Sequence, residues 1–270
     1  MSKLHILITG ATGRIGRYFT DYLGDRYKLR LGARNLEKLG DSGIHEVAEL
    51  NLENPEQCSD ACEGIDVVVH LAANPSPAAP FYGGVLEANI IGTYNIYEAA
   101  IKAECKRVVF ASSIRTVEGH PLDLQVHHDS PVGPDSLYGA SKCFGEALAF
   151  YFAYQHGLSS VVVRIGRWGE NSNRKQPMQA RTARNLSAFV SRRDLSQLME
   201  RAMTTPDIKF AIVNGISDNR FKRMDIESAR KLLGYEPQDD AFAQYVSGMA
   251  EQERWYQEAP GRRRTSSNER

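Results

Sequence analysis

Short apolar runs alternate with amphipathic stretches along most of the chain. Leu4–Thr9, Lys28–Ala33, His45–Leu50, Asp66–Leu71, Arg107–Ala111 and Ser160–Ile165 have strand length. Asp-Val-Val-Val-His-Leu at 66–71 is almost continuously apolar, as expected of a strand inside a parallel sheet covered on both faces. Between these runs the apolar positions recur at helical spacing, as with Ile15, Tyr18, Phe19 and Tyr22 in Arg14–Leu23. A short helix is predicted over Pro55–Glu63, with Pro in its first turn, and longer ones over about Gly84–Ala103 and Leu137–His156. The alternation predicts an α/β fold, a Rossmann-type doubly wound parallel sheet with helices on both sides.

The pattern changes after Gly166. Residues 167–185 are polar, rich in Arg and Asn, and show no clear period. Strand-like Leu186–Val190 follows, then helix Asp194–Thr204, strand Lys209–Val213, helix Met224–Leu233 and a last helix over about Asp240–Tyr256. The expected organisation is a dinucleotide-binding domain over 1–166, a small substrate lobe over 167–258 interleaved with it, and a disordered basic tail over 259–270.

Composition narrows the function classes. The 270 residues carry 33 basic and 33 acidic side chains, which speaks against a general nucleic-acid binder. Residues 260–270 hold four Arg and one Glu, so the body is left slightly acidic. No stretch approaches the roughly 18 apolar residues that span a bilayer, and the N-terminal apolar run is too short for a signal-peptide core. Cys58 and Cys62 lie one helical turn apart, but no second ligand pair follows, and Cys105 and Cys143 complete no disulfide framework. A cytoplasmic, metal-free protein without nucleic-acid or membrane partners is expected.

The first strand runs into Thr9-Gly10-Ala11-Thr12-Gly13-Arg14-Ile15-Gly16. Glycines at this spacing, between a strand and a helix, give a tight turn, close backbone approach to a pyrophosphate, and a helix N-terminus aimed at the anion. The expected cofactor is therefore NAD or NADP. An acidic residue at the end of the second strand would favour NAD. Here the strand ends Leu31-Gly32-Ala33-Arg34-Asn35. Arg34, with Arg14, could meet a 2′-phosphate, so the choice stays open with a lean towards NADP acceptance. Asn51, after the third strand, is a candidate for the adenine edge.

A second motif opens the helix at Leu137-Tyr138-Gly139-Ala140-Ser141-Lys142. Tyr138 and Lys142, at i and i+4, project from one helix face. A phenol of pKa near 10 is a poor base at neutral pH, and a neighbouring ammonium would favour its phenolate. Lys142 could also hold the nicotinamide ribose. Ser113, just past a strand end, could orient a substrate hydroxyl towards Tyr138.

Taken in order, these motifs resemble the extended short-chain dehydrogenase/reductase superfamily. The match rests on the Gly-rich turn, Val-His-Leu-Ala-Ala at 69–73, Asn89, Ser112-Ser113 and Tyr138-x-x-x-Lys142. Within it the chain is similar to uronate dehydrogenases and related sugar and sugar-phosphate dehydrogenases, through 89–100, 109–113, 137–146, Arg164-Ile165-Gly166, 214–219 and 232–239. The resemblance implies oxidation of a pyranose C1 hydroxyl to an aldonolactone. Tyr138 would take the proton, Ser113 would bond the oxygen, and Lys142 would tune Tyr138 and bind ribose. It also puts Thr12, Ile15, Leu52, Leu71, Ala72, Ala73, Asn89 and Ile165 among the cofactor-binding residues.

Departures from that pattern point to the substrate. Uronate dehydrogenases follow the second Ser with Asn-His, which contact the sugar; here Ile114 and Arg115 stand there. They place Ser after Arg-Ile-Gly, where this chain has Arg167 and then Trp168. Residues 164–184 hold Arg164, Arg167, Arg174, Lys175, Arg181 and Arg184 against Glu170 alone. Guanidinium groups suit oxyanions, so the expected substrate is a hexose with a sulfonate or phosphate at C6. Asn171, Asn173, Arg174 and Trp168 would complete the pocket and Ser76 would approach from the loop after the fourth strand. A uronate is the alternative. A nucleotide-sugar epimerase would need a larger C-terminal lobe, and a noncatalytic cofactor sensor would not need the intact Ser113, Tyr138 and Lys142. His127 and His128 are expected at the surface. Tyr94, Tyr97, Phe144, Leu148 and Phe152 lie on helices that in this superfamily often pair between subunits, so a homo-oligomer, dimer or tetramer, is expected.

Overall fold

The computed structural model describes residues 3–76, 78–169 and 182–243. In chain order the strands are β1 (His5–Thr9), β2 (Lys28–Ala33), β3 (Glu46–Glu49), β4 (Val67–His70), β5 (Arg107–Ser113), β6 (Ser159–Ile165), β7 (Arg167–Gly169), β8 (Phe189–Ser191) and β9 (Phe210–Gly215). The helices are α1 (Arg14–Leu23), α2 (Pro55–Cys62), α3 (Gly92–Lys102), α4 (Leu137–Gln155), α5 (Ala183–Ser187), α6 (Arg192–Thr204) and α7 (Glu227–Leu233). Seven strands form one sheet in the order β3-β2-β1-β4-β5-β6-β9, with every pairing parallel. The strand order reverses between β1 and β4, the position where doubly wound sheets open a ligand crevice at their carboxyl ends.

Alternate strand residues face opposite sides, which divides the core in two. Ile6, Ile8, Val67, Val69, Val109 and Val161 pack beneath α1 and α6, against Phe19, Leu23, Leu195, Leu198 and Met199. Leu7, Val68, Val108, Phe110 and Val162 face α2, α3 and α4, against Cys58, Cys62, Ile96, Tyr97 and Phe152. The Cys58–Cys62 pair is thus a core-facing helix stripe. Among the described residues no helix is long and apolar enough to cross a membrane.

The differences from the sequence pattern have local causes. The helix expected over Gly84–Ala103 is a widened, kinked stretch at Phe81–Ile91 followed by α3, and Tyr82 and Gly83 leave helical geometry inside it. Gly83 sits at φ +73, a conformation that costs glycine little. The strand expected at Leu186–Val190 starts later. Thr182 caps a short helix by accepting from the Asn185 N–H, and only Phe189–Ser191 is extended, beside Arg167–Gly169. Met224 pairs with Val126 in an isolated bridge and the Asp225 carboxylate accepts from the Glu227 N–H, so α7 begins at Glu227. β9 lies beyond residue 166 and still forms the seventh strand of the main sheet. Helix begins again at Ala241; the rest of the expected last helix and the basic tail lie outside the described residues.

Candidate active site

The turn after β1 is shaped by backbone contact. Gly10 holds φ +68, and a Cβ there would lie 2.9 Å from the backbone of Ala72. A Cβ on Gly16 would lie 2.4 Å from the Gly10 carbonyl oxygen. The Gly13 N–H donates to that same carbonyl at 2.9 Å, closing the turn. Gly13 caps α1 without any side-chain hydrogen bond, so the first N–H groups of α1, at Arg14, Ile15 and Gly16, have no capping acceptor. A bare helix N-terminus behind a glycine turn, at the crevice of the sheet, fits a dinucleotide pyrophosphate. Thr12 lies beside it, its carbonyl accepting from Arg17 at 3.0 Å. Arg34 is exposed just past β2. Asn51 uses its Oδ1 to accept from the Glu53 N–H, and Leu52 is buried beneath Gly92.

A directed chain of hydrogen bonds underlies this turn. The Ala72 N–H donates to Thr9 Oγ1 at 3.1 Å, and Thr9 lies 2.8 Å from His70 Nδ1. His70 Nε2 lies 3.3 Å from Thr93 Oγ1, which donates to the Asn89 carbonyl at 2.7 Å. Thr93 has one hydroxyl proton and uses it on Asn89, so His70 must donate from Nε2 and accept at Nδ1 from Thr9. Burial, followed by the charge of Lys142, pushes His70 down to about 3 and keeps it neutral for this role. The Asn89 amide then accepts from the Asn74 N–H at 2.7 Å and donates to the Asn74 carbonyl and to Ser141 Oγ at 3.2 and 3.0 Å. Asn89, expected among the cofactor-binding residues, is buried and spends its side chain on the protein: it ties the loop after β4 to α4. Ser76 is exposed on that loop, its N–H bonded to Asn74 Oδ1 at 3.2 Å. Leu71 and Ala73 flank Ala72, partly buried.

Three elements meet at the carboxyl ends of β5 and β6. The register pairs Ser113 with Ile165, so β5 runs two residues further than its apolar pattern suggests and carries both serines. Ser136 caps α4 by accepting from the Gly139 N–H at 3.2 Å. A Cβ on Gly139 would lie 2.4 Å from the Arg115 carbonyl oxygen, so only glycine lets the helix start this close to the loop after β5. This sets Tyr138 beside the end of β5, where Ser113 Oγ accepts from the Arg115 N–H at 3.2 Å. Burial raises the Tyr138 pKa, while the neighbouring Ser113 hydroxyl and the Arg115 charge oppose the rise. Lys142 is buried, donates from Nζ to the Ala111 carbonyl at 2.8 Å, and stands 5.7 Å from the centre of the Tyr138 ring. Burial pushes its pKa down to about 7 against the upward pull of Glu146. Arg115 is thus a second cation, beside Lys142, near the Tyr138 phenol.

The arginines expected to face a substrate anion divide into different groups. Arg164 is buried within β6 and forks onto both Glu146 oxygens at 2.9 and 2.8 Å, so it belongs to the scaffold. Arg115 pairs with Asp135. Arg167 and Arg184 both bond Glu118 Oε1, at 3.1 and 2.6 Å. Ile114, expected at the substrate, is buried with Val117, Val126, Ala188, Ile216, Met224 and Ile226. Trp168 is held under two guanidinium groups, Arg14 at 5.1 Å and Arg192 at 5.4 Å, which ties it to the glycine turn. Asn171, Asn173, Arg174, Lys175 and Arg181 lie outside the described residues. His127 is exposed and bonds Asp225 at 2.8 Å.

Several residues of this region carry no local sequence signal: Thr9, Thr93, Glu118, Ser141 and Glu146 each act through a partner far along the chain. His70 stands inside the Val-His-Leu-Ala-Ala run, yet the run itself does not show what the imidazole bonds.

Comparison with known proteins agrees with this geometry. A family profile described as "NAD dependent epimerase/dehydratase family" matches residues 6–201. An NAD-dependent glucose-6-phosphate dehydrogenase of Haloferax volcanii is 34% identical over 252 residues, covering 87% of this chain and 94% of that protein. An L-arabinose 1-dehydrogenase (NAD(P)(+)) of the same organism is 36% identical over 255 residues, covering 87% and 97%. The crystal structure of uronate dehydrogenase from Agrobacterium tumefaciens superposes with a TM-score of 0.78 at 31% identity, covering 98% of this chain and 93% of that one. The glycine turn, Ser113, Tyr138 and Lys142 all fall in the span that the family profile matches, and the chain belongs to the NAD dependent epimerase/dehydratase family.

Proposed function

We propose that this protein is an NAD(P)-dependent sugar 1-dehydrogenase that oxidises the anomeric hydroxyl of a hexopyranose bearing an anionic group at C6, giving the aldono-1,5-lactone. The meeting of Ser113, at the end of β5, with Tyr138 and Lys142 of α4 carries this reading. Gly10, Gly13 and the first N–H groups of α1 would hold the pyrophosphate, and Lys142 the ribose next to the nicotinamide. When bound, the dinucleotide would supply the redox chemistry as the acceptor of the hydride from C1. Tyr138 Oη takes the C1 hydroxyl proton as the C1 carbonyl forms. Ser113 Oγ holds the same oxygen, which fixes the alcohol for transfer. Arg34 at the end of β2, with no acidic residue there, supports acceptance of NADP as well as NAD.

The relatives' names include a sugar phosphate, a uronate and a neutral pentose, and so do not choose the C6 group. An excess of guanidinium over carboxylate supports the anionic sugar: Arg167 and Arg184 share the single carboxylate of Glu118. A neutral aldose is the second reading, and it has one observation in its favour. Arg115, Arg164, Arg167 and Arg184 each already bond a carboxylate. The exposed rings of Tyr94, Phe144, Phe150, Tyr151 and Tyr154 on α3 and α4 support pairing of these helices between copies of the chain. Four free thiols support a reducing, cytoplasmic setting.

The test is initial-rate reduction of NAD and of NADP with glucuronate, galacturonate, sulfoquinovose, glucose 6-phosphate, L-arabinose and glucose. Tyr138→Phe serves as the control for chemistry at C1. Turnover of a C6-anionic sugar that Tyr138→Phe abolishes is the expected result. Turnover of glucose or arabinose alone would establish the neutral reading. No turnover of any sugar would overturn the assignment.

A further inference from the structure

Glu118 is a buried carboxylate beyond the sheet's carboxyl edge. It lies five residues past Ser113, and Arg167 lies two past Ile165, so the paired ends of β5 and β6 bring this cluster to the same edge as Ser113 and Tyr138. The Glu118 side chain is 1% exposed, whereas Arg167 and Arg184 are 30% and 42% exposed. The guanidiniums therefore stand between the carboxylate and solvent. Glu118 Oε1 takes all the bonds, from Arg167 Nη2 at 3.1 Å and from Arg184 Nε and Nη2 at 2.8 and 2.6 Å. Glu118 Oε2 and Arg167 Nε are both buried without a hydrogen-bond partner. The unfilled acceptor and donor on adjoining side chains suit a hydroxyl or a water, which can satisfy both, while the outward faces of the guanidiniums remain for an anion. Among the described residues the cluster thus holds two guanidiniums and one carboxylate, one positive charge in excess.

We propose that Glu118 is a specificity-determining residue that fixes the charge of the accepted sugar: it gathers Arg167 and Arg184 into one anion-facing surface while cancelling one of their charges. This rests on the sugar dehydrogenase reading above and narrows it. A surface with one excess positive charge matches a monoanionic substituent, a carboxylate or a sulfonate. A phosphate dianion would bring one charge too many, and a neutral sugar would leave the excess charge unanswered.

The experiment compares wild type, Glu118→Gln and Arg184→Gln as the full chain, with four sugars. Glucose is neutral, glucuronate and sulfoquinovose are monoanions, and glucose 6-phosphate is mostly dianionic at neutral pH. Wild type should prefer a monoanion. Glu118→Gln, with two excess charges, should raise the glucose 6-phosphate to glucuronate ratio of kcat/KM at least threefold. Arg184→Gln, with none, should raise the glucose to glucuronate ratio at least threefold. Both changes should fall on KM, because the cluster meets the substituent and not C1. A shift under threefold in either ratio, or in the opposite direction, overturns the proposal. If Glu118→Gln does not fold, the Arg184→Gln ratio alone decides, since Arg184 is partly exposed. Calorimetric titration of each protein with the same sugars reads the same ratios without turnover. Binding ratios that shift as stated in a protein without dehydrogenase activity would sustain the charge assignment and sink only the reaction. Turnover with unshifted ratios would do the reverse.

Discussion

Arg164 and Glu146 form a two-pronged ion pair inside the protein, with guanidinium nitrogens 2.9 and 2.8 Å from the two carboxylate oxygens and side chains 2% and 4% exposed. The Arg164 Nη1 also reaches the His128 carbonyl at 3.2 Å, and Ser112 donates to Glu146 at 2.6 Å. The pair joins β5, β6 and α4 directly behind Ser113 and Lys142. Removing one member leaves a buried charge without its partner, which costs far more than an exposed pair is worth. Arg164→Met is expected to lose about 3–5 kcal/mol of unfolding free energy. Urea unfolding followed by circular dichroism checks this, and a loss below about 1 kcal/mol would place the pair outside the scaffold.

Arg115 gives a prediction with a definite sign. Its charge opposes the burial that raises the Tyr138 pKa. Arg115→Gln removes that opposition, so the Tyr138 pKa rises further. The acid limb of the kcat/KM profile then moves to higher pH, and the rate at neutral pH falls more than the rate in alkali. A limb that stays in place, or moves to lower pH, would show that another group holds Tyr138.

Lys142 ties stability to pH. Its pKa is pushed from 10.5 down to about 7 in the folded protein. Between these values the unfolded chain binds more protons at this residue, so stability rises with pH. The burial penalty is complete below the folded value and relieved as pH climbs towards the unfolded one. Against Lys142→Met, wild type should gain up to about 1.4 kcal/mol per pH unit within that window. Unfolding free energies of both proteins across pH 6 to pH 10, roughly the interval set by the two pKa values, measure this. A constant difference would mean the amine is solvated.

Trp168 supports the cofactor side. With Arg14 and Arg192 over its ring, Trp168→Ala releases the Arg14 guanidinium from beside the glycine turn. Each such contact contributes on the order of 0.5–1 kcal/mol at an exposed site. The KM for the dinucleotide should therefore rise about twofold to fivefold, with the KM for sugar changed far less. The opposite split would return Trp168 to the sugar pocket.

What the sequence revealed and what it hid divide along one line. α1 and β2 occur with the boundaries their periodicity predicts, and the glycine turn and the Tyr138–Lys142 spacing are legible because each is set within a few residues. The partners of Arg164, Arg167 and Asn89 lie 18, 49 and 52 positions away, in other elements. A run of arginines along 164–184 reads as one basic surface, yet strand alternation turns Arg164 inward to Glu146 while Arg167 and Arg184 converge on Glu118. No spacing rule names Glu118, because its role comes from the pairing of β5 with β6 and the return of the chain at β8.

The hydrogen bonds that run from Ala72 through Thr9, His70 and Thr93 to Asn89 have a single sense of donation. Each hydroxyl along it is committed at both ends, so no member can turn around without its neighbours doing the same. The nucleotide turn and the start of the Tyr138 helix are therefore aligned by one shared polarity. Drift at any link would move the glycine turn and the start of the Tyr138 helix together, so that their misplacement would be a common event.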